Sequence, residues 1–304
     1  MAFTVPPFFS SIKDALAALF GNNVKIAHSC KVSGGGINEA FALKLTDGSH
    51  IFMKSNTKEN IGFFTAEAMG LQAVAQTGTI QTPHILCCGT EEAQGGYSFL
   101  LLEFINGKHR IEAYWQTFAK QLAAMHNSPA AEFVPDGNYG FIQDGYIGAT
   151  KQHNTPQANW VAFFRDCRLK PQFEAAACYF DSATLRQIDS LLDHLDKFLE
   201  EPEHPSLLHG DLWSGNFITG NDGKAWLIDP AAYVGHAEAD IAMTELFGGF
   251  PPAFYDAYAK AAPLQPGYSR RRDLYNLYHL LNHLNLFGRT YLPSVKRVIA
   301  EYSL

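Results

Sequence analysis

Over the first hundred positions apolar residues come in short runs and alternations broken by Gly, Asp and Asn, the period-2 pattern of strands joined by tight turns. The pattern predicts strands over roughly 24–30 and 39–45, and a third carrying Ile51-Phe52-Met53-Lys54 after the Asp47-Gly48 turn. Two more strands are expected around 84–88 and 97–104, the second so nearly continuous in apolar residues that it reads as buried. Between them Phe64, Ala68, Leu71 and Val74 recur at three-to-four-residue spacing, which predicts a helix over about 61–77. Beyond Asn106-Gly107-Lys108 the period turns helical, with helices expected over roughly 111–126, 158–169, 184–200, 237–247, 252–261 and 270–286. The change of period divides the chain into an N-terminal lobe, 1–105, and a C-terminal lobe, 106–304. Within the second, the stretch from Pro129 to Pro156 is rich in Gly, Asn and aromatic residues and reads as a lid or binding loop.

Composition narrows the class. With 304 residues, 47% of them hydrophobic, the chain can bury a core large enough for two lobes. A net charge of −7, with no basic stripe beyond the short Arg270-Arg271-Arg272 run, argues against nonspecific nucleic-acid binding. No apolar run approaches the roughly 20 residues needed to span a membrane. The N-terminus lacks the basic-then-apolar order of a secretory signal. Cys30, Cys87, Cys88, Cys167 and Cys178 show no Cys-x-x-Cys spacing, as expected of reduced thiols. The expectation is a cytoplasmic globular enzyme without nucleic-acid or membrane partners, its oligomeric state left open.

The densest chemistry lies in His209-Gly210-Asp211-Leu212-Trp213-Ser214-Gly215-Asn216, followed by Ile228-Asp229. Phosphoryl transfer needs positioned phosphates, a divalent cation and an oriented acceptor hydroxyl more than covalent chemistry. Mg²⁺ prefers oxygen ligands and keeps several waters, so Asn216 and Asp229 suffice as its protein ligands. Asp211 then accepts or orients the hydroxyl proton. Asn221-Asp222-Gly223 is a turn signal that makes a hairpin of the segment joining the two metal candidates. Upstream, Ser33-Gly34-Gly35-Gly36 lies between two strands, and Gly34, Gly35 and Gly36 let backbone N–H groups approach an anion. Lys54, at the end of the third strand, is placed to reach the α/β-phosphates of ATP. No Gly-Lys-Ser/Thr follows, so this is not a Walker A loop. Glu67 on the following helix either pairs with Lys54 or is a solvated helix charge. After the strand ending at Ile105, the Glu103 carbonyl and Ile105 N–H are candidates for holding adenine.

These residues resemble the fructosamine kinase (ketosamine-3-kinase) family, a branch of the protein-kinase-like fold related to aminoglycoside phosphotransferases and choline kinases. His209-Gly210-Asp211 with Asn216 is shared across that broad group, whereas the tryptophan of Leu212-Trp213-Ser214-Gly215 is the fructosamine-kinase form. Further matches include Tyr146-Ile147-Gly148, Trp160 with Phe163, Phe164 and Arg168, the segment Asp240 to Phe250, and Leu281-Asn282-His283. The resemblance implies an α+β fold of two lobes, a small antiparallel-sheet lobe with one main helix and a larger helical lobe. It implies a Mg²⁺- and ATP-dependent kinase acting on the 3-hydroxyl of ketoamines, whether small molecules or glycated protein lysines, in deglycation and protein repair. Asp211 would be the base, Asn216 and Asp229 the metal ligands, Lys54 the phosphate lysine and Glu67 its partner. Trp213, Trp160 and His283 are acceptor-site candidates, each with a packing role as its alternative, while His209 and Asp240 are expected to brace the catalytic loop. The competing functions are an aminoglycoside or choline kinase on the same fold, and a nucleotide-binding module without catalysis.

Overall fold

The structure is a computed structural model that describes residues 5–32, 37–93, 95–135 and 138–303. The glycine-rich segment, with Gly34, Gly35 and Gly36, lies outside the described residues, as does Asp136 of the long Pro129–Pro156 stretch. The chain folds as two compact units. One comprises Met1–Tyr114 together with Phe217–Pro230, and the other Trp115–Asn216 together with Ala231–Leu304. The division therefore falls after Tyr114 rather than after Ile105, and a 14-residue hairpin segment from the middle of the second half belongs with the first unit.

In the first unit, β1 (Phe8–Phe9), β2 (Ile26–Val32), β3 (Glu39–Leu45), β4 (His50–Thr57), β5 (Ile85–Glu91) and β6 (Tyr97–Glu103) form one sheet. Its order is β1-β5-β6-β4-β3-β2, antiparallel throughout except for the short β1 beside β5. The continuous apolar run of β6 has a direct cause: each face of the sheet carries a helix. Phe99 and Leu101 join Leu43, Leu45 and Cys87 under α1 (Ile12–Phe20), whereas Leu100, Leu102 and Cys88 pack on Phe64, Ala68 and Leu71 of α2 (Ile61–Gln76). Successive residues of a strand point to opposite faces, so a strand between two helices has no polar side to show. The α1 helix is an addition to the sequence expectation. Its N-cap is Ser11, whose side chain accepts from the Asp14 N–H, and it stops at Gly21 with φ 106°. The segment 217–230 joins this unit as the hairpin of β10 (Phe217–Thr219) and β11 (Ala225–Leu227), with Trp226 bridged to Gln81.

The second unit is mainly helical: α3 (Tyr114–His126), α4 (Trp160–Phe163), α5 (Lys170–Ala175), α6 (Ser182–Asp193), α7 (Ala237–Leu246), α8 (Pro252–Ala261), α9 (Tyr268–Phe287) and α10 (Leu292–Tyr302). The helix expected over 158–169 is interrupted, since Phe164–Leu169 winds as a π-helix between α4 and α5. The helix expected to reach 200 ends at Asp193 and gives way to a short 3₁₀ turn. Two small ladders complete the unit, β9 (Ser206–Leu208) with β12 (Tyr233–Gly235) and β7 (Gly145–Ile147) with β8 (Thr150–Gln152). The β7–β8 hairpin lies in the stretch expected to be a lid, but it is tied into the unit. Gln152 is buried, accepts from the Tyr278 hydroxyl and donates to the Ala231 carbonyl at 2.9 Å each. Arg168, wholly buried, donates to the His153 carbonyl and Asn154 Oδ1 and stacks 3.9 Å over the Tyr233 ring. Among the described residues no helix is long and apolar enough to cross a membrane.

Candidate active site

Strand register places Lys54 on β4 opposite Ala40 and Leu100, in the middle of the sheet, where it is 8% exposed. A lysine so buried must be paired. Its ammonium donates to Glu67 Oε1 on α2 at 2.7 Å and to Asp229 Oδ1, which follows β11. Burial alone would lower the Lys54 pKa, but the carboxylates of Asp229 and Glu67 outweigh it and hold the lysine charged above its ordinary value. Burial raises Glu67 above the usual carboxylate range against the opposing pull of Lys54. Glu67 is thus a partner of Lys54 and not a solvated helix charge. Asp229 is the one non-glycine residue of the described chain with a left-handed backbone, φ 55°. Such a conformation costs roughly 1–3 kcal/mol and collects at functional sites.

Glu103 closes β6, its N–H taken by the His84 carbonyl at 2.8 Å, and Ile105 follows two residues later at the half-buried start of the connecting segment.

The residues of the His209–Asn216 loop belong to the second unit. His209 is fully buried and its N–H donates to Asp240 Oδ2 at 2.7 Å, while the Gly210 N–H donates to Asp240 Oδ1 at 2.8 Å. His126 holds the same carboxylate at 3.2 Å and reaches the Tyr258 hydroxyl with its other nitrogen at 2.7 Å. Burial works against the Asp240 charge, yet the bond from His126 and the backbone donors keep its pKa below the ordinary value. Asp240 and His209 therefore brace the loop, and His126, unmarked in the sequence at the end of α3, is part of the brace. Gly210 has φ 82°, and a Cβ there would sit 2.1 Å from the Ala231 carbonyl oxygen, so only glycine permits this crossing.

The brace delivers Asp211 with its side chain partly exposed. Asn216 is buried, and its amide donates to the Asp211 carbonyl at 2.8 Å and to Asp211 Oδ2 at 2.9 Å. With both amide hydrogens committed, Asn216 keeps its carbonyl oxygen for a hard cation. Among the described residues no group of three or more His, Cys, Asp or Glu could hold a metal alone. A magnesium ion that takes one or two protein oxygens and completes its shell with water and phosphate fits that donor set.

Trp213 stands two residues past Asp211, 37% exposed, with its ring folded over Gly215, where a Cβ would lie 2.5 Å from the indole. Its ring meets Phe247 edge-on at 6.4 Å, Phe247 meets His283 at 4.7 Å, and His283 meets Phe287 at 5.4 Å and Tyr291 at 5.0 Å. Two of the acceptor candidates, Trp213 and His283, thus share one aromatic strip, linked by Phe247. The third does not join them. Trp160 is 0% exposed, enclosed by Tyr139, Phe163, Phe164 and Tyr275, so it is a core residue and not an acceptor contact. An indole already covered on every side has no face left for a ligand.

A mixed α+β protein with a helix-backed antiparallel sheet carrying a Lys–Glu pair, a helical unit carrying an Asp–Asn loop and a paired Asp after a hairpin is a phosphotransferase of the protein-kinase-like class. The model of the family described as Fructosamine kinase matches residues 8–304. The protein-ribulosamine 3-kinase of rice (Oryza sativa subsp. indica) is 39% identical over 93% of this chain and 80% of its own length. A Haemophilus somnus 129PT protein provisionally named fructosamine-3-kinase superposes with a TM-score of 0.83, at 32% identity and 96% coverage of both chains. A thermostable mutant of aminoglycoside phosphotransferase APH(4)-Ia shares the fold alone, with a TM-score of 0.60 at 15% identity, over 95% of this chain and 99% of the other. The chain belongs to the fructosamine kinase family.

Proposed function

We propose that the protein transfers the γ-phosphate of ATP to the 3-hydroxyl of a ketoamine, a ribulosamine or fructosamine adduct of an amine. Lys54, steadied by Glu67, contacts the α/β-phosphates, and Glu103 and Ile105 hold adenine through backbone groups. Asn216 and Asp229, which flank the β10–β11 hairpin in sequence, would hold Mg²⁺, which would supply positive charge to offset that of the phosphates. Asp211 accepts the acceptor's proton; its carboxylate is already fixed on one oxygen by Asn216. The observation that carries the acceptor reading is Trp213 meeting Phe247 and, through it, His283, within two residues of Asp211. Aromatic faces cover the C–H surfaces of a sugar, which is the contact a ketoamine's sugar part would make with this strip. Ketoamines carried on lysine side chains of proteins fall within the same reading, which gives the protein a role in deglycation and repair in the cytoplasm.

The test is ATP turnover against a panel of ribulosyl- and fructosyl-amines, free sugars, choline and an aminoglycoside, with ³¹P NMR to locate the phosphate. Phosphorylation of a ketoamine at its 3-hydroxyl is expected. Turnover of choline or the aminoglycoside with no ketoamine accepted would discard the reading.

A further inference from the structure

Helix α9 carries His279 and His283 one turn apart, and His283 is the one whose ring stands in the aromatic strip beside Phe247. His279 is 4% exposed, and its Nδ1 is buried without a hydrogen-bond partner. A buried polar atom left unpaired costs free energy, so its persistence calls for a reason. That nitrogen faces Asp211 Oδ1 at 3.8 Å, just outside hydrogen-bond range. The other carboxylate oxygen, Oδ2, is the one held by Asn216. The two side chains therefore address opposite oxygens of the same carboxylate.

The charge state of the ring decides what it can offer. Burial pushes the His279 pKa down to about 3, with His283 and Arg168 acting in the same direction and Asp240 against it. The ring is therefore neutral at neutral pH, with one N–H and one bare lone pair. Toward an anionic oxygen at this distance the N–H is attractive and the lone pair repulsive, which selects the Nδ1–H tautomer. A cation at the same place would stabilise the carboxylate and weaken it as a base, whereas a neutral donor orients it at little cost in basicity.

We infer that His279 is a positioning residue for Asp211: its Nδ1–H steadies Oδ1 so that the carboxylate, fixed at Oδ2 by Asn216, turns a defined lone pair to the acceptor hydroxyl. The inference rests on the reading of Asp211 as the base. His279 itself touches no substrate, and its work is done through the aspartate.

Two substitutions and one spectrum test it. Asparagine carries its amide nitrogen the same number of bonds from Cα as histidine carries Nδ1, so His279→Asn keeps a neutral donor in place and His279→Leu removes it. His279→Leu should lower kcat by roughly 10–100-fold with KM for ATP within about two-fold, and His279→Asn should recover to within about three-fold of the unmodified enzyme. In an Asp211→Asn background His279→Leu should cost nothing further, because the carboxylate it steadied is gone. A His279→Asn enzyme as slow as His279→Leu, or an undiminished effect of His279→Leu in the Asp211→Asn background, reduces His279 to packing. The readout independent of turnover is ¹⁵N NMR of the imidazole. The Nδ1–H tautomer is expected, with a resonance that shifts on Asp211→Asn, and the Nε2–H tautomer would overturn the assignment. Should the protein turn over no ketoamine while that resonance responds to Asp211→Asn, the positioning holds and the proposed acceptor is what fails.

Discussion

Lys54 donates at once to Glu67 on the helix and to Asp229 after the hairpin, so one ammonium ties the strand lysine to the proposed metal carboxylate. The left-handed backbone of Asp229 is of the kind that collects at functional sites, and it motivates the metal role proposed for that residue. If Asp229 holds Mg²⁺ and Asp211 is the base, the two aspartates separate by experiment. Asp229→Ala should abolish turnover and weaken Mg-ATP binding in calorimetric titration. Asp211→Asn should lower kcat by roughly 10²–10⁴ and leave that affinity within a few-fold. Loss of the Mg²⁺ dependence in the Asp211 variant instead would exchange the two roles. Lys54, Asp211, Asn216 and Asp229 were legible in the sequence as candidates, because phosphoryl transfer restricts residue type and order at once, and the Lys54–Asp229 and Asn216–Asp211 pairings could be seen only in the fold. Trp213 is marked by its place two residues past Asp211, whereas Trp160 has no such mark: its sequence reads equally as acceptor contact or core, and only burial decides it. His279 and His126 were illegible for the converse reason, since a histidine on an apolar helix face looks like any other until its ring nitrogens are seen to face Asp211 and Asp240.

At the scale of elements, the sheet is held between α1 and α2, and each accounts for half of the alternation hidden in β6. The strands and α2 were readable from period alone. The α1 helix was not, because a nine-residue amphipathic stretch closed by glycine competes poorly with the turn residues around it. Its Ser11 cap three residues before Asp14 was the available signal. The π-helical turn at Phe164–Leu169 was not anticipated, because a single wide turn within a helix is too short to change the hydrophobic period of the segment. The structural weight of α1 is testable. Leu16 is 3% exposed within the cluster that includes Leu43, Phe99 and Leu101, so Leu16→Ala should cost about 2–5 kcal/mol in urea unfolding. A loss under about 0.5 kcal/mol, the size expected of a surface substitution, would show that α1 lies outside the cooperative core.

For the whole molecule the boundary was only partly visible, because the hairpin 217–230 folds with a unit from which it is a hundred residues distant in sequence, and local period says nothing of such returns. One property of the entire chain follows from what the fold buries. His236, His279 and His283, all in the second unit, have pKa values lowered first of all by burial. A histidine kept neutral in the fold and free to charge when unfolded binds more protons in the unfolded state, so its contribution is intact above its unfolded pKa, near 6.5, and is lost as pH falls toward the folded value. Glu67 has the opposite sign, its folded pKa being raised to about 7, and it favours the fold as pH falls across the interval down to 4.5. Up to three protons gained by the histidines on unfolding outweigh one released by Glu67. Asp240, lowered below 3.8, adds to the loss of stability only in stronger acid. Urea unfolding should therefore show stability falling steadily as pH drops from about 6.5 to 4.5. His279→Asn, which removes the deepest of the three displacements, should make that fall shallower by about a few kcal/mol at the acid end, whatever it does to stability at pH 8. An unchanged slope in the variant would mean that the imidazole of His279 reaches solvent and titrates in the folded protein.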